Sequence, residues 1–236
     1  MANVRLDTFE KALRHIGIDW VVRRGLGTVR DEFQSLELSW PARDNPLGIL
    51  IGNTLAIWPH FLAHVRAEPD LSRHEHPLDT WVERSIRSAL DQMGANATPY
   101  FAHHKYLRGY LPLQHFAQQL GALALSPSHL SVHPEYGPWL ALRALIVLDL
   151  EADDGAASGG VFPPATEPCA SCAAPCRAPF ELAAQNSSPL EGAQRVVGHW
   201  QQWLRVRDAC PQGRPFRYSD EQISYHYARD RRALGL

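Results

Sequence analysis

Four cysteines carry the first candidate chemistry in this sequence. Cys169, Cys172 and Cys176 form a C-x2-C-x3-C run, and Cys210-Pro211 follows after 33 further residues. Four converging thiolates can hold zinc or an iron–sulfur cluster. Without a ligand they are reduced thiols, or Cys169 and Cys172 act as a redox-active pair. A helix at 190–207 that folds back would bring Cys210 to the run. The second candidate is Arg143, the single charge in the apolar stretch Trp139–Leu148. A buried guanidinium needs an anion, which is either a core carboxylate or a bound ligand.

The twelve histidines are a third source of chemistry. His60 and His64 stand four apart on a predicted helix, a spacing that can grip a metal. Position 61 is Phe61 rather than Glu, so the zinc-protease motif is missing. His103 and His104 are adjacent and are expected to face opposite ways on a strand. His74 and His76 fall in a loop. All of these read as structural or surface groups. The sequence contains no G-x-S-x-G, no phosphate-binding P-loop and no G-x-G-x-x-G, which excludes a recognisable hydrolase, NTPase or Rossmann enzyme.

The elements that must position these groups follow from periodicity. Asp7 and Glu10 read as a capping box for a helix with Phe9, Leu13 and Ile16 on one face, and Gly17 stops it. Strands are predicted at 18–22 and, more loosely, at 33–40. Leu47–Ile51 is a buried strand, and Asn53 or Thr54 caps a helix at 55–67. That corner can receive an anion or is a plain connection. Pro77–Met93 is an amphipathic helix with Trp81, Ile86 and Leu90 as its stripe. A strand at 100–104 and a helix at 112–120, carrying His115, come next. A strand at 129–133, a turn at 134–137 and a long strand at 139–150 form the sheet core. The stretch 151–168 is a linker. The helix at 190–207 aligns Val196, Trp200 and Trp203, and Ser219 with Gln222 caps a last helix bearing Tyr225, His226 and Tyr227. No internal repeat is present. The interspersed elements predict an α+β or α/β sandwich. Residues 1–150 form its core, and 151–236 complete the same domain with the cysteine cluster and C-terminal helices.

Composition narrows the function classes. The chain has 236 residues, 45% of them hydrophobic, with 23 basic and 25 acidic side chains. That balance implies no nucleic-acid partner. No 18-residue apolar run exists, so no membrane span is expected. The N-terminus lacks the apolar region of a signal peptide, and a cytoplasmic location with reduced thiols is expected. Seven tryptophans fill the core or line a large flat ligand.

Several stretches in register resemble the CblC-type cobalamin-processing family (methylmalonic aciduria and homocystinuria type C). Ser131-Val132-His133-Pro134-Glu135-Tyr136-Gly137-Pro138-Trp139-Leu140-Ala141-Leu142-Arg143 looks like that family's segment leading into a long apolar strand. His199-Trp200-Gln201-Gln202-Trp203 with Arg207-Asp208-Ala209 is a second. Arg217-Tyr218-Ser219-Asp220-Glu221-Gln222, Tyr225 and an Arg-x-Ala-Leu-Gly-Leu end make a third, and His115-Phe116-Ala117 a fourth. The likeness runs from about residue 77 to the C-terminus.

The resemblance implies a flavin-reductase-like, nitroreductase-related α+β sandwich that binds cobalamin with its lower ligand detached. It also implies removal of the upper axial ligand, by reductive decyanation with reduced flavin (FMN) or by thiol-dependent dealkylation with glutathione. Arg143, Arg207 and Arg231 match the arginines that hold the thiol tripeptide, whose carboxylates suit bidentate guanidinium. His115, His133, Trp139 and Trp203 would contact the corrinoid or wall its site. The cysteine run departs from this family. It resembles the ferredoxin-type runs of epoxyqueuosine reductases and reductive dehalogenases but lacks one cysteine, implying either electrons from a 4Fe-4S cluster in place of flavin or the remnant of such a cluster. The alternatives are a ferredoxin-like electron carrier, a non-catalytic cobalamin chaperone, or a structural zinc protein.

Overall fold

Apolar runs at 46–53 and 141–151 build the middle of a four-stranded antiparallel sheet. Its strands are β1 (Trp20–Gly25), β2 (Pro46–Asn53), β3 (Ala97–Phe101) and β4 (Ala141–Glu151), in the order β1-β2-β4-β3. All eight residues of β2 are buried, as expected for a strand covered on both faces. Ile49 pairs with Ile146, and Leu145 lies between Leu50 and Tyr100. The protein is described by a computed structural model covering residues 2–153, 168–185 and 199–235. It is mixed helix and antiparallel sheet, the α+β class.

The chain divides into two units, Met1–Ala122 with Ala141–Pro163 and Leu123–Leu140 with Pro164–Leu236. The first holds the sheet and α1 (Ala2–His15), α2 (Arg30–Ser35), α3 (Ile57–Ala67), α4 (Pro77–Met93) and α5 (Leu113–Gln119). α4 matches its predicted bounds, opened by Pro77 and closed by Gly94 in the left-handed conformation. Gly17 likewise ends the first helical segment at φ 79°, where a Cβ would sit 2.7 Å from the Ala56 carbonyl oxygen.

Several expectations are corrected. Helix α1 starts at Ala2, upstream of the predicted cap. Asp7 and Glu10 lie inside it and receive hydrogen bonds from Arg23 of β1, each at 2.6 Å. A spacing of three suits a cap, but it also puts two carboxylates on one helix face. Residues 33–40 form no strand: Phe33 sits in α2 with Asp31 and Glu32 in its first turn. The corner after β2 is filled by the protein's own carboxylate. Asp19 accepts from the Thr54 amide at 2.8 Å and from its hydroxyl at 2.5 Å. His103 and His104 follow the end of β3 and turn to the same side, ring centroids 4.5 Å apart. They lie past the pleat whose alternation would have separated them.

The second unit holds α6 (Arg177–Gln185), α7 (Trp200–Asp208) and α8 (Asp220–Ala228). Strand 129–133 shrinks to Ser131–Val132, which pairs with Ala124–Leu125. α6 and α7 pack around Cys176, Ala183 and Val206, with Phe180 and Trp203 against them. Ser219 caps α8 as expected, accepting from the Gln222 amide at 3.2 Å. Val196 and the first part of the predicted 190–207 helix lie outside the described residues.

Candidate functional site

In the second unit the four cysteines line one pocket of about 380 Å3, its open mouth included. Cys169 and Cys172 sit on a turn closed by a 3.1 Å bond from the Cys172 amide to the Cys169 carbonyl. Cys176 directly precedes α6, and Cys210 lies two residues past α7. The packing of α6 on α7 therefore joins parts of the chain distant in sequence. Ser126, Leu130 and Val132 complete the wall. All four cysteines are thiols rather than disulfides. Burial pushes the Cys210 thiol pKa up, and the nearby Cys176 and Cys172 add to that. A bound cation reverses this preference by stabilising thiolates.

A second feature of the same unit is Arg207 on α7. Its guanidinium carbon lies 5.7 Å from the Trp139 ring and 5.8 Å from each of the Tyr218 and Tyr227 rings. Burial disfavours its charge, the Tyr227 and Tyr218 side chains favour it, and its pKa ends above the ordinary arginine value. Among the described residues no carboxylate pairs with it. Cation–π contacts and a side-chain hydrogen bond with Tyr218 hold the group, and no carboxylate among the described residues takes its remaining donors. Arg217 lies over the same Trp139 ring at 5.8 Å. It differs in being satisfied by Asp208 at 2.8 Å and Asp220 at 3.2 Å. Trp139 is 1% exposed and packs edge-on against Tyr218.

Arg143 is placed in the first unit, on β4. Its Nε donates to Asn53 at 2.6 Å and one terminal nitrogen to Asp79 at 3.1 Å. The other terminal nitrogen is buried with no hydrogen-bond partner among the described residues. The protein thus supplies an acid, and one arm of the fork is left over. His115 is exposed, 3.9 Å from Glu32. His133 is 2% exposed and stacks on Tyr136 at 4.3 Å. Its Nδ1 accepts the Glu135 and Tyr136 amides at 3.2 Å each. Trp203 packs on Phe180, and its indole N–H is buried without a partner among the described residues. Arg231 is exposed at the start of the last 3-10 turn.

The structure therefore groups Trp139, Arg207 and the four cysteines within one unit, and places Arg143 and His115 in the other. Sequence reasoning missed Tyr218, Tyr227 and Arg217 as neighbours of this aromatic cage. Arg217 and Tyr218 lay within a quoted motif, but nothing in the spacing shows that they face Trp139.

No protein-family model matches the chain, and no curated protein matches it. Among solved structures, the chain is similar to a Caenorhabditis elegans B12-trafficking protein CblC, described as a homologue of human MMACHC. The TM-score is 0.70 at 15% identity, covering 99% of this chain and 95% of the other. The likeness is one of fold, carried along nearly the whole length of both chains.

Proposed function

We propose that this chain is a corrinoid-handling protein of the CblC type that removes the upper axial ligand of cobalamin. The observation that carries the reading is the fold shared with a B12-trafficking protein over 99% of the chain. The sandwich is then of the flavin-reductase kind, and the corrinoid is substrate. Arg207, charged and lacking a carboxylate partner among the described residues, holds a carboxylate of a glutathione-like thiol. Arg143, in the other unit, is a separate candidate for a ligand carboxylate through its free arm, and Arg231 is a further cation of the second unit. In dealkylation the positioned thiolate attacks the alkyl carbon bound to cobalt. A sulfur–carbon bond forms, the cobalt–carbon bond breaks, and its electron pair stays on the metal as Co(I). In decyanation one electron enters Co(III) and cyanide leaves.

The four thiols around one pocket favour a metal centre as electron source, with reduced FMN as the alternative. The residue types suit a tetrathiolate ligand set, but among the described residues no three of the sulfurs lie within 4.8 Å of one another, so the thiols must close further around a single zinc ion. When bound, a cluster there supplies single electrons, while Cys169, Cys172, Cys176 and Cys210 hold it and the apolar wall limits water. The same observation favours a second reading, a ferredoxin-like electron carrier. Titrating the apo-protein with cyanocobalamin tests the main reading. A shift of the corrinoid absorbance is expected, and saturating cobalamin with no shift would sink it. Iron, acid-labile sulfide and zinc analysis of the same preparation separates a cluster from structural zinc. Decyanation with and without reductant separates enzyme from chaperone.

A further inference from the structure

Glu83 projects from α4 towards the residues that follow β3. We infer that Glu83, His103 and His104 form a binding site for a borderline divalent cation such as Co2+, Ni2+ or Zn2+. Their donor atoms all lie within 4.8 Å of one another. Glu83 Oε2 is 3.2 Å from His103 Nε2 and 2.8 Å from His104 Nε2. Metal bonds of about 2.0–2.2 Å set neighbouring donors about 2.9–3.5 Å apart in tetrahedral or octahedral shells. The two edges from Glu83 already have nearly that length, and the edge between the imidazoles is within 4.8 Å.

The surroundings support the same assignment. Glu83 divides its oxygens: Oε2 faces the imidazoles, and Oε1 accepts from Arg87 Nε at 2.9 Å. Arg87 also lies over the Phe101 ring at 5.0 Å. An outer partner of this kind orients a ligating carboxylate and leaves one oxygen for the metal. Phe101 packs against both imidazoles, 5.7 and 5.2 Å from their centroids. Two imidazoles with one carboxylate suit Zn2+, Co2+, Ni2+ and Fe2+ rather than Mg2+ or Ca2+. The side chains are 22%, 27% and 36% exposed, which leaves room for water to complete the shell. This site does not rest on the corrinoid reading.

The test is a titration of the full, reduced chain with Co2+ alone, followed by visible absorbance. Nitrogen and oxygen ligands give weak d–d bands, whereas cobalt held by the cysteines adds intense charge-transfer absorption. The expected result is a weak-band component with an affinity that falls about tenfold or more in His104→Ala and Glu83→Gln. The thiolate absorption stays unchanged in both. If His104→Ala does not fold, judged by circular dichroism, His104→Gln replaces it. A weak-band component that persists unchanged in the folded variants overturns the site. So does wild-type protein that shows only thiolate absorption.

Discussion

Burial sets the behaviour of His133. Its pKa is pushed from the ordinary 6.5 down to about 4 by loss of solvent. The unfolded chain takes up this proton near 6.5 and the folded chain near 4. Between those values the unfolded state binds more protons, so stability falls as pH drops through that window and levels off below it. The loss is about 3 kcal/mol. His133→Asn keeps an acceptor for the two turn amides, and its denaturation midpoint is expected to vary less between pH 7 and 4 than that of the native chain. An equal pH dependence would assign the effect to other groups. Arg143 is a different case, because Asn53 and Asp79 already engage it. Arg143→Ala is expected to fold with a loss of about 1–3 kcal/mol, roughly 2–12 °C in melting temperature. Asp79 is 29% exposed, and water reaches it once the guanidinium is gone. On the corrinoid reading the variant also loses thiol-dependent dealkylation while keeping corrinoid binding. An unchanged melt with unchanged thiol affinity would contradict both roles. Arg207→Gln, by contrast, breaks no ion pair among the described residues. On the corrinoid reading it is expected to weaken binding of a glutathione-like thiol about ten- to hundredfold, the equivalent of a charged hydrogen bond, and to lower the melting temperature by the loss of its contacts with Trp139, Tyr218 and Tyr227. Calorimetric titration reads that difference directly.

Among elements, the turn at Tyr136–Gly137 is closely constrained by its neighbour. Gly137 has φ 56° and faces Gly213 at φ 68°, and a Cβ on either would collide with the other's backbone stretch at Gln212 or Tyr136. Gly137→Ala is expected to destabilise by about 1–3 kcal/mol through strain and overpacking, measured as a lower urea midpoint. No change there would mean that the two loops separate without cost. The sequence made this turn legible through Pro134 and Gly137, but not its partner, because contact between loops leaves no period. Buried strands β2 and β4 were legible as apolar runs, and α4 from its stripe with Pro77 and Gly94 at its ends. Phe33 was not: a short helix of six residues has too few turns to display a face. His103 and His104 were misjudged because alternation holds only while a strand continues, and β3 stops at Phe101. For the cysteines, spacing showed ligand-like types, but only the packing of α6 on α7 brings Cys210 to the others.

At the level of the whole chain, both units are discontinuous in sequence. Residues 123–140 leave the first unit for the second before β4 returns to it. A fragment ending at residue 150 therefore keeps nearly all of the first unit but strands 123–140 without their partners in 164–236. Limited proteolysis of that fragment is expected to cut within 123–140 first, and a resistant 123–140 would show that this stretch folds alone. The strand order carries a related consequence for synthesis of the protein. β4 is the last strand of this sheet to be made, yet it lies between β2 and β3. On the ribosome, β2 waits for its central neighbour while everything from residue 54 to residue 151 is translated. At about 5–20 residues per second that is roughly 5–20 s. During that time one edge of an eight-residue strand, buried throughout in the finished protein, has no ladder to join. A nascent chain in this state needs shielding, so its yield should depend on chaperone supply and elongation rate more than its finished stability suggests.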